Sequence, residues 1–351
     1  MKHVATFISL FLLSFTIFAQ SETDKSSAHE LCIKGIQEME KGEIEKSIQY
    51  FEQAKSLEPN NFFYPYEIAH SYYLTKQYKK AIRILEPLLS HKDVTDHAYH
   101  LLGSSYELLK NTSKGVDTYQ AGLERFPNSG ILYYELGNFY VKKQNYKEAL
   151  VHYEKGIAAE PDFSLNYFYA SKVHASLEDK LWGIMYAELF INMEGVNDKS
   201  LELSKMIYDV FEKGIVISHD TVLVNLADSD NSAKNFESEF EDLLSQSSSK
   251  LKNPITIEAI NQARTTFTLK WIENGNNNRF PNILLDWQSL LLMKGYFEPY
   301  NYWLLKEGNP SEFNTWKENN AALYNEFINW LSENSLTLSS SNYFVAKQYS
   351  E

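Results

Sequence analysis

The sequence predicts an all-α chain, built as a solenoid of about five helix–turn–helix repeats followed by a Trp-rich helical C-terminal region. Three observations carry that reading. Small residues return every 34 residues, at Gly35, Ala69, Gly103, Gly137 and Ser171, and again at Ser47, Ala81, Gly115, Ala149 and Gly183. Large residues return on the same spacing, at Phe51, Leu85, Tyr119 and Tyr153 and at Tyr72, Tyr106 and Tyr140. Pro59, Pro127 and Pro161 close three of the units. A fixed period of this length, with small residues facing large ones, is what stacked helix pairs need, because one pair alone cannot bury its apolar face.

Taken in order, residues 1–19 read as a secretory signal. Lys2 and His3 precede an apolar run from Ile8 to Phe18, and Ala19 and Gln20 lead into polar Ser21-Glu22-Thr23-Asp24-Lys25. Cleavage is expected after Ala19. An uncleaved anchor is the competing reading, but a spanning helix needs about 18–20 apolar residues, more than this run supplies. The mature chain is therefore expected to be exported, periplasmic or secreted, without membrane insertion after cleavage. A polar leader follows over 20–27. The one cysteine, Cys32, cannot form an internal disulfide and reads as a small semi-buried apolar residue.

The repeats are expected over 28–61, 62–95, 96–129, 130–163 and 164–197. In the fourth, Tyr133, Leu136, Gly137 and Tyr140 share one face of the first helix, and Ala149, Tyr153 and Gly156 one face of the second. The turns between paired helices carry breakers or polar residues, such as Lys41-Gly42 and Gln144-Asn145.

On these residues the chain resembles the tetratricopeptide repeat family over 28–197, most closely over 28–163. The fifth unit departs, with His174 in place of the aromatic and no closing proline, as does the second, with Leu88 and Asp93 at positions usually small and proline. The resemblance implies a right-handed superhelical solenoid with a peptide-binding concave groove lined by the first helix of each unit. Its phases fall on Phe63, Tyr66, His70 and Tyr73, then His97, His100 and Ser104, then Tyr134 and Asn138, then Phe168, Tyr169 and Lys172. Tyr66, His100, Tyr134 and Phe168 stand where a carboxylate-clamping groove of this family has lysine. The groove is therefore expected to hold bulky apolar anchors of a protein or peptide, with the chain's own C-terminal half as the competing occupant.

Residues 198–213 read as an amphipathic capping helix (Leu201, Leu203, Met206, Ile207, Val210, Phe211), which completes a solenoid over 28–213. Residues 214–232 read as a connection. Helices are expected at about 233–244, 254–273, 282–294, 297–306 and 311–334, with Ser/Gln-rich 245–249, Asn-rich 274–278 and Gly308-Asn309-Pro310-Ser311 as breaks. Trp271, Trp287, Trp303, Trp316 and Trp330 imply a second compact core in the domain 214–351, for which no family is recognised.

The composition bounds function. Hydrophobic residues make up 44% and charged residues 23% of the chain, a folded composition. The net charge of −13, spread along the chain, offers no basic stripe to nucleic acid or to an anionic membrane. His70, His97 and His100 lack the carboxylate or thiol spacing of a zinc site, so no metal or cofactor is expected. Asp228-Ser229-Asp230-Asn231-Ser232 with Glu239 imitates a calcium loop but has Ala233 where glycine is required. No phosphate loop, nucleophile elbow or zinc-protease motif is present, and His219-Asp220 is read as structural. The leading expectation is a non-catalytic interaction scaffold. The alternatives are a C-terminal half that binds or hydrolyses a small molecule or glycan through exposed tryptophans, and self-assembly into a homo-oligomer.

Overall fold

The computed structural model describes residues 22–177, 179–218, 221–226 and 235–349. The expected signal and cleavage point, His219-Asp220 and the Asp228–Ser232 segment lie outside these residues. The chain divides into two compact units, Met1–Pro127 and Asn128–Glu351. The sequence reading drew its boundary at 213/214. The physical reason for the difference is core continuity: Ala149, Tyr153 and Ile157 of the fourth repeat share one buried cluster with residues as distant as Phe344.

The first unit holds three helix pairs: α1 over 22–40 with α2 (Ile44–Leu57), α3 (Phe63–Leu74) with α4 (Tyr78–Leu88), and α5 (Asp96–Leu108) with α6 (Thr112–Arg125). The expected leader is already helical from residue 22, where Glu22 and Lys25 form an i,i+3 ion pair at 3.5 Å. In the first and third pairs a glycine meets the large residue. A Cβ added to Gly35 would lie 2.7 Å from the Phe51 ring, and one on Gly103 would strike Tyr119. Phe51, Leu85 and Tyr119 are fully buried. Cys32 is buried in the cluster of Ala28, Phe51, Ala54, Tyr64 and Ile68, which pushes its thiol pKa up.

The second unit continues with α7 (Gly130–Lys142) and α8 (Tyr146–Ala159), then α9 (Leu165–Ser176) and α10 (Lys180–Glu194), so the fourth and fifth repeats are helix pairs as expected. Gly137 faces Tyr153 as Gly103 faces Tyr119. The fifth pair closes differently, with Gly183 against the α9 backbone at Ala175 N, where an added Cβ would lie at 2.9 Å.

One turn feature repeats without a composition signal. Gly42, Lys76, Lys110 and Gln144 all have positive φ, at 81°, 59°, 62° and 57°. They occupy the same phase of successive repeats, where the chain must reverse between paired helices. Only Gly42 adopts that conformation without a steric cost from Cβ.

Beyond the repeats come α11 (Asp198–Gly214) and an antiparallel hairpin, β1 (Ile215–Ser218) with β2 (Thr221–Val224), in register Ile215↔Val224. The sequence reading treated this stretch as a connection, because its apolar run is too short and too continuous to show a period. The remaining helices are α12 (Phe236–Ser248), α13 (Ile257–Glu273), α14 (Asn276–Arg279), α15 (Ile283–Lys294), α16 (Phe297–Leu305), α17 (Pro310–Asn319) and α18 (Ala321–Glu333), with a closing 3₁₀ turn, Ala346–Tyr349. The serine-rich break is the last turn of α12, with Ser247 and Ser248 buried, and the expected helix over 311–334 is two helices meeting at Asn320. Both features leave the all-α class intact. No helix among the described residues is long and apolar enough to cross a membrane.

Candidate functional site

Within the first unit, α3 presents Phe63, Tyr66, His70 and Tyr73 at successive turns, one continuous stripe by helical spacing. Phe62 stacks on Tyr66 with centroids 5.7 Å apart, Tyr66 on His70 at 6.3 Å, and Tyr73 meets Tyr78 edge-on at 5.6 Å. Tyr66, His70 and Tyr73 are half-buried, and Phe63 is 39% exposed. Carboxylates flank the stripe. Glu67 Oε2 lies 3.5 Å from His70 Nδ1, and Asp96 Oδ1 lies 3.1 Å from Nδ1 of exposed His97. Burial, with Glu67 and Asp96 nearby, pushes the Tyr66 hydroxyl pKa up to about 12. His100 is half-buried on the same helix as His97. Among the described residues, no group of three or more His, Cys, Asp or Glu side chains could hold a metal ion.

Three of the twelve groove positions are occupied by the fold itself. Ser104 is buried, with its Oγ 3.1 Å from the Tyr119 hydroxyl. One repeat later, the Tyr153 hydroxyl donates to Asn138 Oδ1 at 2.8 Å. These two bonds are the same contact at the same phase: the aromatic that fills the space over the glycine reaches its partner helix and bonds there. Phe168 is 3% exposed and packs on Phe190 at 5.2 Å. Ser104 and Phe168 are thus packing residues, a correction to their assignment to the groove, while Asn138 stays half-buried with its Oδ1 held by Tyr153.

The other second-unit positions are partly engaged. Half-buried Tyr134 packs on Phe163 and Tyr169, with centroids 6.1 and 5.2 Å away, and Tyr169 also stacks on Tyr153 at 6.1 Å. Burial raises the Tyr134 pKa. Lys172 is exposed, paired with Glu202 at 2.6 Å and lying over the Phe168 ring.

The second unit's tryptophans do not form a sugar platform. Trp287, Trp303 and Trp316 are 8%, 4% and 9% exposed. The Trp287 indole donates to Asn192 at 3.1 Å and that of Trp316 to Glu298 at 2.8 Å, while Trp330 stacks on Trp287 at 5.5 Å. This corrects the expectation of solvent-facing indoles. Sequence reasoning also missed a buried polar centre. Glu188 accepts from Arg264 at 2.7 Å, from Gln288 at 2.8 Å and from the Tyr300 hydroxyl at 2.8 Å. Arg264 lies between the Phe211 and Phe297 rings, 5.8 and 5.7 Å from their centroids. A cavity of about 20 Å³ beside it has room for roughly one water, so this centre reads as structural. The signal for it was a lone glutamate inside the apolar run of α10.

Successive helix pairs, with a glycine facing a large ring in the first, third and fourth, define the class, an all-α chain of tandem helix–turn–helix units. Tetratricopeptide repeat family models match residues 38–61, 97–129 and 130–163, and over 38–163 the chain resembles that family. Among solved structures, MamA from Desulfovibrio magneticus RS-1 is 14% identical, with 49% of this chain and 97% of that one covered and a TM-score of 0.38. PilF of Pseudomonas aeruginosa is 14% identical, covering 54% and 86%, with a TM-score of 0.46. YrrB, described as a tetratricopeptide repeat protein with an unusual peptide-binding site, is 17% identical, covering 52% and 95%, with a TM-score of 0.36. No curated protein matches the sequence.

Proposed function

We propose that this protein is an exported, non-catalytic scaffold of the cell envelope that docks a peptide segment on the aromatic face of its first unit. The repeats support a protein-interaction scaffold; the choice of face rests on one observation. In the α3 stripe Tyr66 stacks on His70, both of them and Tyr73 are half-buried, and Phe63 keeps 39% of its surface in water. Rigid aromatics with open faces give large contact area at little entropic cost, which is how binding anchors work. No lysine–asparagine clamp stands at these phases, so the anchors recognised are bulky side chains rather than a terminal carboxylate. Export rests on the N-terminal charge–apolar–small pattern of residues 1–19.

The test is substitution without unfolding. Tyr66→Ala with His100→Ala is expected to abolish partner capture from envelope extract while leaving the melting temperature within about 2 °C of wild type. A large drop in melting temperature would place these side chains in the core and remove the reading. Light scattering on the full chain identifies the alternative occupant, a second copy, by a mass that rises with concentration.

A further inference from the structure

The first unit has a basic edge that the chain's net charge of −13 conceals. Short turns join its helices, which run antiparallel, so the α3–α4 and α5–α6 turns emerge side by side. They bring together Lys76, Lys79 and Lys80 from one repeat and Lys110 and Lys114 from the next. All five are exposed, and none has an ion-pair partner among the described residues. The α1–α2 turn is neutralised instead: Lys41 pairs with Glu38 at 2.7 Å and Lys46 with Glu43 at 3.3 Å.

The parts of this edge recur at the repeat spacing. Lys76 and Lys110 hold the left-handed turn position. Lys80 lies over the Tyr72 ring at 4.9 Å and Lys114 over the Tyr106 ring at 5.1 Å, which holds both ammonium groups at the edge. The first turn of a helix favours acid, and α2 and α8 have Glu45 and Glu148 there. The first turns of α4 and α6 carry Lys79, Lys80 and Lys114 and no acid. Helix stability does not account for these lysines.

Apolar side chains stand among them. Leu74 and Leu108 end α3 and α5 at equivalent positions and are 48% and 50% exposed, and Leu109 is 39% exposed. Three carboxylates lie nearby. Glu86 accepts from the Tyr106 hydroxyl, Glu107 is half-buried against α6 at Gly115, and exposed Asp117 follows Lys114 by one turn. The five lysines outnumber them.

We propose that this edge docks the first unit on an anionic membrane surface, Leu74, Leu108 and Leu109 entering the headgroup layer while the lysines meet lipid phosphates. Exposed turn tips lack the walls that would enclose an acidic peptide, whereas leucines flanked by lysines are what interfacial insertion needs. The binding is peripheral, since no described helix is long and apolar enough to cross a membrane. Phe63 begins α3 and Leu74 ends it, so docking by this edge leaves the exposed Phe63 available.

Vesicle sedimentation is the test. It uses the chain from residue 20, the expected mature start, which keeps every described residue and removes the apolar N-terminal run. Vesicles of equal parts phosphatidylglycerol and phosphatidylcholine should bind it saturably, about tenfold tighter than phosphatidylcholine alone, and release it as salt rises. Lys76→Gln/Lys79→Gln/Lys110→Gln should weaken that binding at least about tenfold at unchanged melting temperature. Gln144 holds the same left-handed position in the fourth repeat, so glutamine suits both turns. Leu74→Gln/Leu108→Gln should weaken it about tenfold as well. Equal affinity for the two vesicle types, or unchanged binding by either variant, overturns the proposal. Capture by soluble polyglutamate without vesicle binding also overturns it and assigns the edge to an acidic polypeptide.

Discussion

The two units solve the same packing problem differently. In the first, none of the helices α2 to α6 has its N-cap side chain bonded to the helix start. In the second, α7, α8, α11, α12, α13, α15 and α17 are capped by Ser129, Asn145, Asn197, Asn235, Thr256, Asn282 and Asn309. The first unit keeps an aromatic stripe half in water. The second buries Trp182, Trp271, Trp287, Trp303 and Trp316 and also holds a buried, hydrogen-bonded ion pair. Each cap contributes about 1 kcal/mol, and each buried network holds one packing arrangement in place. Under the proposed function the difference is a division of labour, with the first unit as the binding array and the second as a tightly specified body.

The largest expected effect lies in that body. Arg264→Leu leaves Glu188 charged and buried, and should cost about 3–5 kcal/mol in urea unfolding. The double change Arg264→Leu/Glu188→Leu should recover most of the loss. If the single variant unfolds like wild type, the two units do not differ in the way described.

The next effect sharpens what the units share. Gly103→Val in the first and Gly137→Val in the second would each drive a side chain into a tyrosine ring, Tyr119 or Tyr153. Each should destabilise by about 1–3 kcal/mol, read by thermal unfolding. A neutral result at either glycine would break the common small-on-large rule.

A pH effect is expected from the second unit. His174 is buried; burial opposes its charge, but Asp179 at 3.4 Å and Glu154 at 3.9 Å outweigh it, so its pKa lies above the ordinary 6.5. A raised pKa means the stabilisation is fully present below pH 6.5 and is lost as pH rises through the folded value. The Tm difference between wild type and His174→Gln should therefore shrink as pH climbs above 6.5. A difference that grows over that range contradicts the assignment.

The smallest effect belongs to the turns. Lys110→Gly relieves a left-handed lysine but loosens the unfolded chain, leaving a net gain of about 0–1 kcal/mol. A clear loss in denaturant unfolding would show that the Lys110 side chain does more than occupy the turn.

The repeats were legible because packing needs a small residue wherever a large one approaches, and that rule is written in residue identity at Gly35 and Phe51 or Gly137 and Tyr153. The left-handed turns at Lys76, Lys110 and Gln144 were not, since the conformation is imposed by the helices on either side. The candidate site was half legible. Helical phase says which way Ser104 and Phe168 point, but not that Tyr119 and Phe190 already engage them and bury them in the fold. Nor could spacing show that Glu188 and Arg264, 76 positions apart, meet in one core.

The most direct measurement places a photocrosslinking side chain at Phe63 in the first unit or at Phe168 in the second, in cells that produce the protein. The division of labour predicts a discrete crosslinked partner from position 63 and none from position 168. A partner captured from 168, or none from 63 while the protein remains folded, would contradict it.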